Sequence, residues 1–224
     1  MLKKIILGGL LILNITGYGQ TINWNRLERT DRHMLSINAG LDYGLTGGLA
    51  YGYKLKTETP VVLTAEYSTP FGEVLIDDYK SKIGVMLRFA EFGDFSFSAK
   101  LQGLFRRYES EYVRMSNFGT EISVTSGYYK KNWYIAAEAG FDKAIITHFK
   151  HAEIYRENFP LVKDGWYEPS SGGNFNYGLQ AGFSVDKSDI TLRIGWVITQ
   201  DFKTVPNLPF YAQLGYAIKL RNKN

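Results

Sequence analysis

The stretch Pro209–Leu220 decides the fold that the sequence predicts, and it reads Pro-Phe-Tyr-Ala-Gln-Leu-Gly-Tyr-Ala-Ile-Lys-Leu. Apolar side chains recur at every second position, which is the period of a β-strand with one apolar face. One face holds Phe210, Ala212, Leu214, Tyr216, Ile218 and Leu220, and the other holds Tyr211, Gln213, Gly215, Ala217 and Lys219. We therefore predict a half-apolar strand over these residues.

Four residues of this strand carry a resemblance to a known family. Gln213-x-Gly215-x-x-Ile218-x-Leu220 resembles the C-terminal signal of bacterial outer-membrane β-barrel proteins. The resemblance implies that the barrel assembly machinery recognises this strand, and that the strand pairs with the first one to close the barrel. It also implies a location in the bacterial outer membrane, with residues 221–224 as a short tail.

Nine further segments of the chain alternate in the same way. Their lengths suit tilted membrane strands, which need about 9–11 residues. We therefore predict an all-β fold, a closed antiparallel up-and-down transmembrane β-barrel of about ten strands over residues 33–220. The sixth segment, around Phe118 to Tyr128, is the faintest, so eight or twelve strands remain open.

The connections between segments alternate in length. Short ones follow the second, fourth, sixth and eighth segments, where the periplasmic turns of an outer-membrane barrel belong, and both termini are then periplasmic. The long ones belong outside the cell and cover residues 68–78, 109–117, 144–173 and 200–208. The longest, 144–173, is expected to be a structured extracellular loop.

Alternation alone does not separate a membrane barrel, apolar outside, from a soluble lipocalin-like barrel, apolar inside. Aromatic residues near both ends of the apolar rows favour the membrane barrel, because such rings form girdles at the two interfaces of a bilayer. They are Phe89, Phe95, Tyr128 and Trp133 at the periplasmic end, and Tyr43, Tyr67, Tyr79, Phe141 and Trp196 at the other end.

The first residues predict export. Met1–Gly19 combines two early lysines, a short apolar run and small residues near its end, which is typical of a secretory signal peptide. Residues 20–32 are mostly polar, and we expect them to be a periplasmic lead-in. The sequence has no Cys, so the barrel must be stable without disulfides.

Charge composition argues against one class of partner. Lys and Arg number 26 against 22 Asp and Glu, which gives a net charge of +4. The basic residues alternate with apolar ones and form no block, so we expect no nucleic-acid binding.

The polar rows of the segments carry charges of both signs. We expect these charges to pair inside the barrel and to fill it, because ten strands leave little more room than the filled interior of about eight. Little ion conductance should follow. The predicted interior charge network comprises Asp42, Glu66, Arg88, Lys100, Arg106, Glu138, Asp142 and Arg193.

His148, His151 and Glu153 are the candidate metal ligands of the long loop. They would share one face if Lys143–Asn158 were helical, as its apolar spacing suggests. Structural zinc sites usually have four ligands, and no further nitrogen or sulfur ligand is evident. We therefore expect a solvated helix without metal, and no cofactor.

Catalysis is not expected either. Omptin-like surface proteases are ten-stranded barrels with acidic pairs and a His–Asp pair at the extracellular rim. Asp77, Asp78 and His148 could supply such groups, but the two acids are adjacent rather than spaced as in that family. A rim protease of this kind is the least favoured alternative.

The tip of the long loop contains Asp164, Trp166 and Tyr167. If the two rings are exposed, they suit a surface-binding loop. If they fold back, they block the mouth of the barrel. The leading hypothesis is a non-catalytic barrel with a structural or surface-binding role, and a narrow channel is the alternative. Expected partners are outer-membrane lipids, the assembly machinery, and an extracellular ligand or outer-membrane protein.

Overall fold

The structure, a computed structural model, describes residues 22–28, 30–72, 77–169 and 172–221 of the chain. The predicted signal peptide, residues 1–19, lies outside the described residues, as do residues 222–224 of the predicted tail. Within the described ranges, no helix is long and apolar enough to cross a membrane.

Regular structure in these ranges is almost entirely β. A short helix, α1 (Glu153–Asn158), follows β7, and a 3-10 turn at Trp24–Arg26 precedes β1. The strands are β1 (Asp31–Leu41), β2 (Leu45–Lys54), β3 (Val61–Pro70), β4 (Asp78–Phe92), β5 (Phe95–Glu109), β6 (Val113–Tyr129), β7 (Trp133–His151), β8 (Gly165–Tyr167), β9 (Gly173–Val185), β10 (Ser188–Thr199) and β11 (Phe210–Arg221).

Ten of these strands close into an antiparallel barrel. Strands β1 to β7 pair in chain order, β9 pairs with β7, and the series continues through β10 to β11. Strand β11 then pairs with β1, from Leu41 opposite Ala212 to Asp31 opposite Arg221. The three residues of β8 pair with β7 at Thr147–Phe149. The predicted closed, ten-stranded, all-β fold is therefore confirmed.

The barrel is apolar outside and polar inside. On β11, Leu214 and Tyr216 are exposed, whereas Gln213 and Lys219 are buried. The same holds around the barrel, where most of the buried side chains described are polar or charged. A soluble lipocalin-like barrel has the opposite arrangement, so that alternative does not fit the structure.

Exposed and half-buried aromatic rings form two rows on the outer wall. The lower row, on the side of the termini, joins Phe95 to Tyr128 (5.1 Å between ring centroids) and Tyr128 to Trp133 (5.8 Å). The upper row joins Tyr67, Tyr79, Phe105, Phe118 and Trp166, with neighbouring centroids 4.9–6.1 Å apart.

One side of the barrel is much taller than the other. Strands β4 to β7 have 15, 15, 17 and 19 residues, whereas β1 to β3 have 11, 10 and 10. Two predicted boundaries are corrected as a result. The expected loop at 109–117 is a hairpin turn between Glu109 and Val113, and the expected loop at 144–173 begins only after His151.

A β-bulge explains why the sequence did not show the full length of β7. Phe118 lies opposite Ile146 and Gly119 opposite Ala144, so Ile145 is the extra residue of β7. An extra residue reverses the alternation of the strand beyond it. Residues 146–151 therefore continue β7 with the inward and outward positions exchanged. Across the bulge, the apolar residues are spaced as they would be in a helix.

Two opposed glycines make room for a ring inside the barrel. A Cβ at Gly178 would lie 2.1 Å from the Ile194 carbonyl oxygen and 2.4 Å from the Tyr211 hydroxyl. A Cβ at Gly195 would lie 2.3 Å from the Tyr177 oxygen and 2.4 Å from the Tyr211 ring. The Tyr211 side chain therefore lies flat across bare backbone on β9 and β10.

We predict that Gly195→Ala lowers the free energy of unfolding of the barrel in detergent by about 1–3 kcal/mol, as overpacking does. A urea titration measures this free energy, with loss of the folded band on unheated gels as the signal of unfolding. Gly103→Ala is the matched control, because its Cβ would have only the Ile83 oxygen nearby, at 3.9 Å. Equal stability of the two variants would contradict the close packing of Tyr211.

Candidate binding pocket in the barrel lumen

The N-terminal segment Ile22–Leu27 lies inside the end of the barrel next to the termini. Ile22, Asn23 and Trp24 are buried, and Leu27 packs against the same cluster. We call these residues the plug. Residues 20–32 were predicted to be a periplasmic lead-in, and the structure adds that the described residues of the plug pack against the inner wall of the barrel.

Inward-facing apolar side chains of the barrel receive the plug. Tyr129 and Tyr134 stack at 5.1 Å and are almost fully buried beside Trp24. The remaining barrel members of this cluster are Met34, Val62, Met86 and Ala136. Burial of apolar surface therefore holds the plug in an otherwise polar interior.

Side-chain hydrogen bonds fix the plug to two turns of the barrel. Asn23 Nδ2 donates to the Lys130 carbonyl (2.9 Å) and to Ser184 Oγ (3.0 Å). Asn25 Nδ2 donates to the Tyr129 carbonyl (2.6 Å). Arg26 extends the attachment, with Nη2 donating to the Asp186 carbonyl (2.7 Å) and Nη1 to Asn132 Oδ1 (3.1 Å).

Above the plug, a layer of ion pairs crosses the lumen. Arg193 Nη2 donates to Glu138 Oε1 at 2.7 Å, and Arg193 Nε donates to the same oxygen at 3.0 Å. The Tyr211 hydroxyl donates to Glu138 at 2.6 Å, and Gln180 also bonds to this carboxylate. Lys100 pairs with Glu66 at 3.5 Å. Together these residues are the ion-pair layer.

The structure places the predicted interior charges as follows. Glu138 and Arg193 pair with each other, as do Glu66 and Lys100, all within the ion-pair layer. The other four have partners outside the predicted network: Asp42 pairs with Lys80, Arg106 with Asp78, Arg88 with Glu91, and Asp142 accepts from Asn174. Alternation indicates the face of each residue but not its neighbour across the lumen.

A polar cavity of about 750 Å³ lies above the ion-pair layer. It opens at the end of the barrel that carries the connections 152–172 and 200–209, and we call it the pocket. Its wall contains charges already in pairs, such as Lys82 with Glu121 at 2.5 Å. Its remaining polar wall residues include the amides Asn117, Asn174 and Asn176.

Tyr43 belongs to the pocket and not to the outer girdle in which it was predicted. Its hydroxyl lies 2.8 Å from Ser68 Oγ, and Lys80 and Arg106 lie over its ring at 4.2 and 4.3 Å. Strand β1 ends at Leu41, and the amide of Asp42 donates to the Gly44 carbonyl in a turn. The strand alternation that predicted an outward ring therefore no longer applies at Tyr43.

Beneath the ion-pair layer, a second cavity of only about 30 Å³ separates the charges from the plug. Lys100 and Arg193 line both cavities, so the layer forms the floor of one and the ceiling of the other. Ile22 and Trp24 close the small cavity from below. The lumen is therefore blocked twice between the pocket and the termini.

Asp164 organises the long loop. Its Oδ1 accepts from the backbone amide of His151 (2.8 Å) and lies 2.9 Å from His151 Nδ1, while its Oδ2 accepts from Arg156 (3.1 Å). These hydrogen bonds, first that from the His151 amide, lower the pKa of the Asp164 carboxyl. The carboxylate thus ties α1 to the upper end of β7.

Trp166 and Tyr167 take different environments because they are neighbours on a strand. Trp166 packs on the outer wall against Phe118 (6.1 Å) and His148 (4.8 Å). Tyr167 packs against Phe149, which lines the pocket, at 5.5 Å. Trp166 therefore extends the upper aromatic row and does not fold over the mouth.

The histidines do not share a face. The helix predicted over Lys143–Asn158 forms only at Glu153–Asn158, so His148 and His151 lie on strand β7, where residues three apart face opposite sides. In the described part of the chain, no group of three or more His, Asp and Glu residues could hold a metal ion. Asp78 faces the pocket, bonded to Arg106, and is separated from His148 by the barrel wall.

We predict that Arg193→Met destabilises the barrel by about 3 kcal/mol, because it leaves the buried Glu138 carboxylate unpaired. The double variant Arg193→Met with Glu138→Gln should recover part of that loss, which a double-mutant cycle of urea titrations would show. Asp94→Asn, which removes the exposed pair with Lys130, is the control and should shift nothing measurable. Additive effects of the two buried substitutions would contradict the pairing.

Comparisons with known proteins add little to this geometry. No family model and no curated protein matches the chain. Among solved structures, it is similar to one described as "KdgM porin in complex with disordered oligogalacturonate", with 8% identity and a TM-score of 0.44. The similarity covers 84% of this chain and 99% of the porin chain. At this level we draw no functional conclusion from the porin.

Proposed function

We propose that this protein is an integral outer-membrane barrel that binds a small polar solute in its pocket and does not conduct ions with the plug in place. One observation carries the proposal: a polar pocket of about 750 Å³ opens at the loop end, while the plug and the ion-pair layer block the lumen below it. Such a lumen has an entrance but no exit. We also propose that the protein is not an enzyme.

The membrane placement is supported by the outer wall. Apolar side chains cover the wall between the lower and upper aromatic rows, and such rows lie at the two interfaces of a bilayer. A closed barrel also leaves no strand edge exposed to lipid. In this proposal the termini are periplasmic, and the assembly machinery recognises Gln213, Gly215, Ile218 and Leu220 of β11.

The wall of the pocket indicates the kind of solute. Lys80, Lys82 and Arg106 each already have a carboxylate partner, so an anionic solute that bound any of these three side chains would have to break an ion pair. Hydrogen-bonding groups that are not charged, such as Asn117 and Asn176, remain at the wall. We therefore propose a solute without large net charge that offers donors and acceptors.

A second candidate is a narrow channel that opens when the plug leaves. The specific observation in its favour is that the side-chain hydrogen bonds from the described residues of the plug to the barrel come from Asn23, Asn25 and Arg26. All three reach the turns at the rim rather than the ion-pair layer. Departure of the plug would leave the ion-pair layer as the remaining barrier.

Cysteine labelling tests the one-ended lumen, because the sequence has no Cys of its own. Asn176→Cys lies in the pocket and Thr125→Cys lines the small cavity under the ion-pair layer. With intact cells and a small charged methanethiosulfonate reagent, we expect Asn176→Cys to react and Thr125→Cys to stay protected. Fast reaction at both positions would contradict the closed lumen.

Planar-bilayer recordings separate the two candidates. We expect wild-type protein to give no steady single-channel steps, since both barriers are in place. Steps that appear only in Trp24→Ala would favour the plug-gated channel, whereas steps in wild type would refute the non-conducting barrel. Trp196→Ala is the matched control, because that ring lies on the outer wall and is exposed.

A further inference from the structure

One carboxylate of the pocket wall has no basic partner among the described residues. The other carboxylates that line the pocket are all in ion pairs, which are Asp42 with Lys80, Glu66 with Lys100, Asp78 with Arg106 and Glu121 with Lys82. Asp142 forms no such pair with a described residue, and its Oδ2 accepts a hydrogen bond from the Asn174 amide at 3.2 Å. An amide carries no charge, so this hydrogen bond does not neutralise Asp142.

The strand register explains why Asp142 lacks a basic partner. Glu121 of β6 lies directly opposite Asp142 on one side, and Asn174 of β9 lies opposite it on the other. Side chains that are directly opposite on neighbouring strands are about 5 Å apart at Cβ, and like charges at this distance repel. Lys82 lies 2.5 Å from Glu121, so one ammonium group serves two adjacent carboxylates. The wall therefore lacks one positive charge at this level.

The basic residues nearest to Asp142 are bound to other groups. Lys80 acts on Asp142 electrostatically, but its Nζ lies 3.2 Å from Asp42 Oδ2. Lys143 follows Asp142 in the chain, and its Nζ donates to Gln200 Oε1 at 2.9 Å, in one of the connections at the mouth of the pocket. A cation that neutralises Asp142 without breaking these contacts would therefore come from the solute.

Asn176 supplies a second acceptor beside Asp142. It lines the pocket and lies opposite Gly140, one inward position below Asp142. A Cβ at Gly140 would lie 2.8 Å from Asn176 Oδ1, so this amide oxygen lies over bare backbone. Successive inward positions of a strand are about 7 Å apart. One nitrogen atom between them can reach both oxygens, since a hydrogen bond spans about 2.9 Å.

We propose that the solute of the pocket carries a protonated primary amine, with Asp142 as its ion-pair partner and Asn176 Oδ1 as a hydrogen-bond acceptor. An ammonium group has three N–H donors and no acceptor, so it fits a carboxylate beside an amide oxygen. A solute with one such amine and otherwise uncharged polar groups leaves the ion pairs of the wall intact. This inference rests on the proposed solute-binding function and names the chemical class of that solute.

A reporter cysteine in the purified, folded barrel tests the proposal. Val197 lines the pocket and lies opposite Asn176 on β10. The reaction rate of Val197→Cys is measured with aminoethyl, trimethylammonioethyl and hydroxyethyl methanethiosulfonate, and each rate is divided by the rate with free mercaptoethanol. We expect the aminoethyl reagent to exceed the neutral hydroxyethyl reagent about tenfold, which corresponds to about 1.4 kcal/mol for one charge-assisted contact. The trimethylammonioethyl reagent should be slower than the aminoethyl reagent, because it has no N–H donor.

Substitutions in the reporter barrel assign the preference to one carboxylate. Asp142→Asn should abolish the preference for the aminoethyl reagent, whereas Asp142→Glu, which keeps the charge, should retain it. Glu111→Gln is the matched control, because it removes an exposed carboxylate from the same end of the barrel that does not line the pocket. It should leave the preference unchanged. Migration on unheated gels establishes that each variant is folded.

Three results would overturn the proposal: no preference for the aminoethyl reagent, a preference that survives in Asp142→Asn, or an equal preference for the trimethylammonioethyl reagent. In each of these cases, reaction of the neutral hydroxyethyl reagent would still show an open pocket, and the proposed solute binding would stand. If the neutral reagent does not react with Val197→Cys, the pocket is closed to solutes, and both proposals are wrong.

Discussion

The pairing of β11 with β1 is the interaction on which the rest of the structure depends. In hydrocarbon there is no water to satisfy a free backbone amide or carbonyl, so a sheet in a bilayer must have no open edge. Closure between Leu41 and Asp31 on one strand and Ala212 and Arg221 on the other supplies those bonds. Once the sheet is closed, each strand must present one face to the surroundings, which are lipid in the proposed placement, and the other to an enclosed space.

That enclosed space decides where the charges lie. Polar groups are largely absent from the apolar outer face and are concentrated in a narrow lumen, where an unpaired charge is costly. Glu138 shows the outcome, because it receives hydrogen bonds from Arg193, Tyr211 and Gln180 at once. Bare backbone at Gly178 and Gly195 gives Tyr211 the room to reach this carboxylate. The ion-pair layer is thus a consequence of closing a small barrel around polar residues.

Much of the fold could be predicted from the sequence, because alternation is a local property and ten strands repeat it. What could not be predicted depends on departures from that period or on contacts across the lumen. The bulge at Ile145 reverses the phase of β7, and the turn at Asp42–Gly44 brings Tyr43 inside. The pocket follows from side chains on many strands, so no single segment indicates it. The plug shows no hydrophobic periodicity, and the burial of Trp24 becomes evident only from its apolar partners on β1, β3, β4, β6 and β7.

The plug also bears on the order in which the protein forms. It directly precedes β1, yet Asn25 bonds to a residue 104 positions away and Asn23 to one 161 positions away. Contacts of such separation need a long loop of chain to be closed first. The turns after β6 and β9 come together only when the intervening strands have paired, so the plug has no binding site until then. The plug therefore binds late in folding. Trp24 can reach its buried position only after the strands that carry the turns after β6 and β9 have paired.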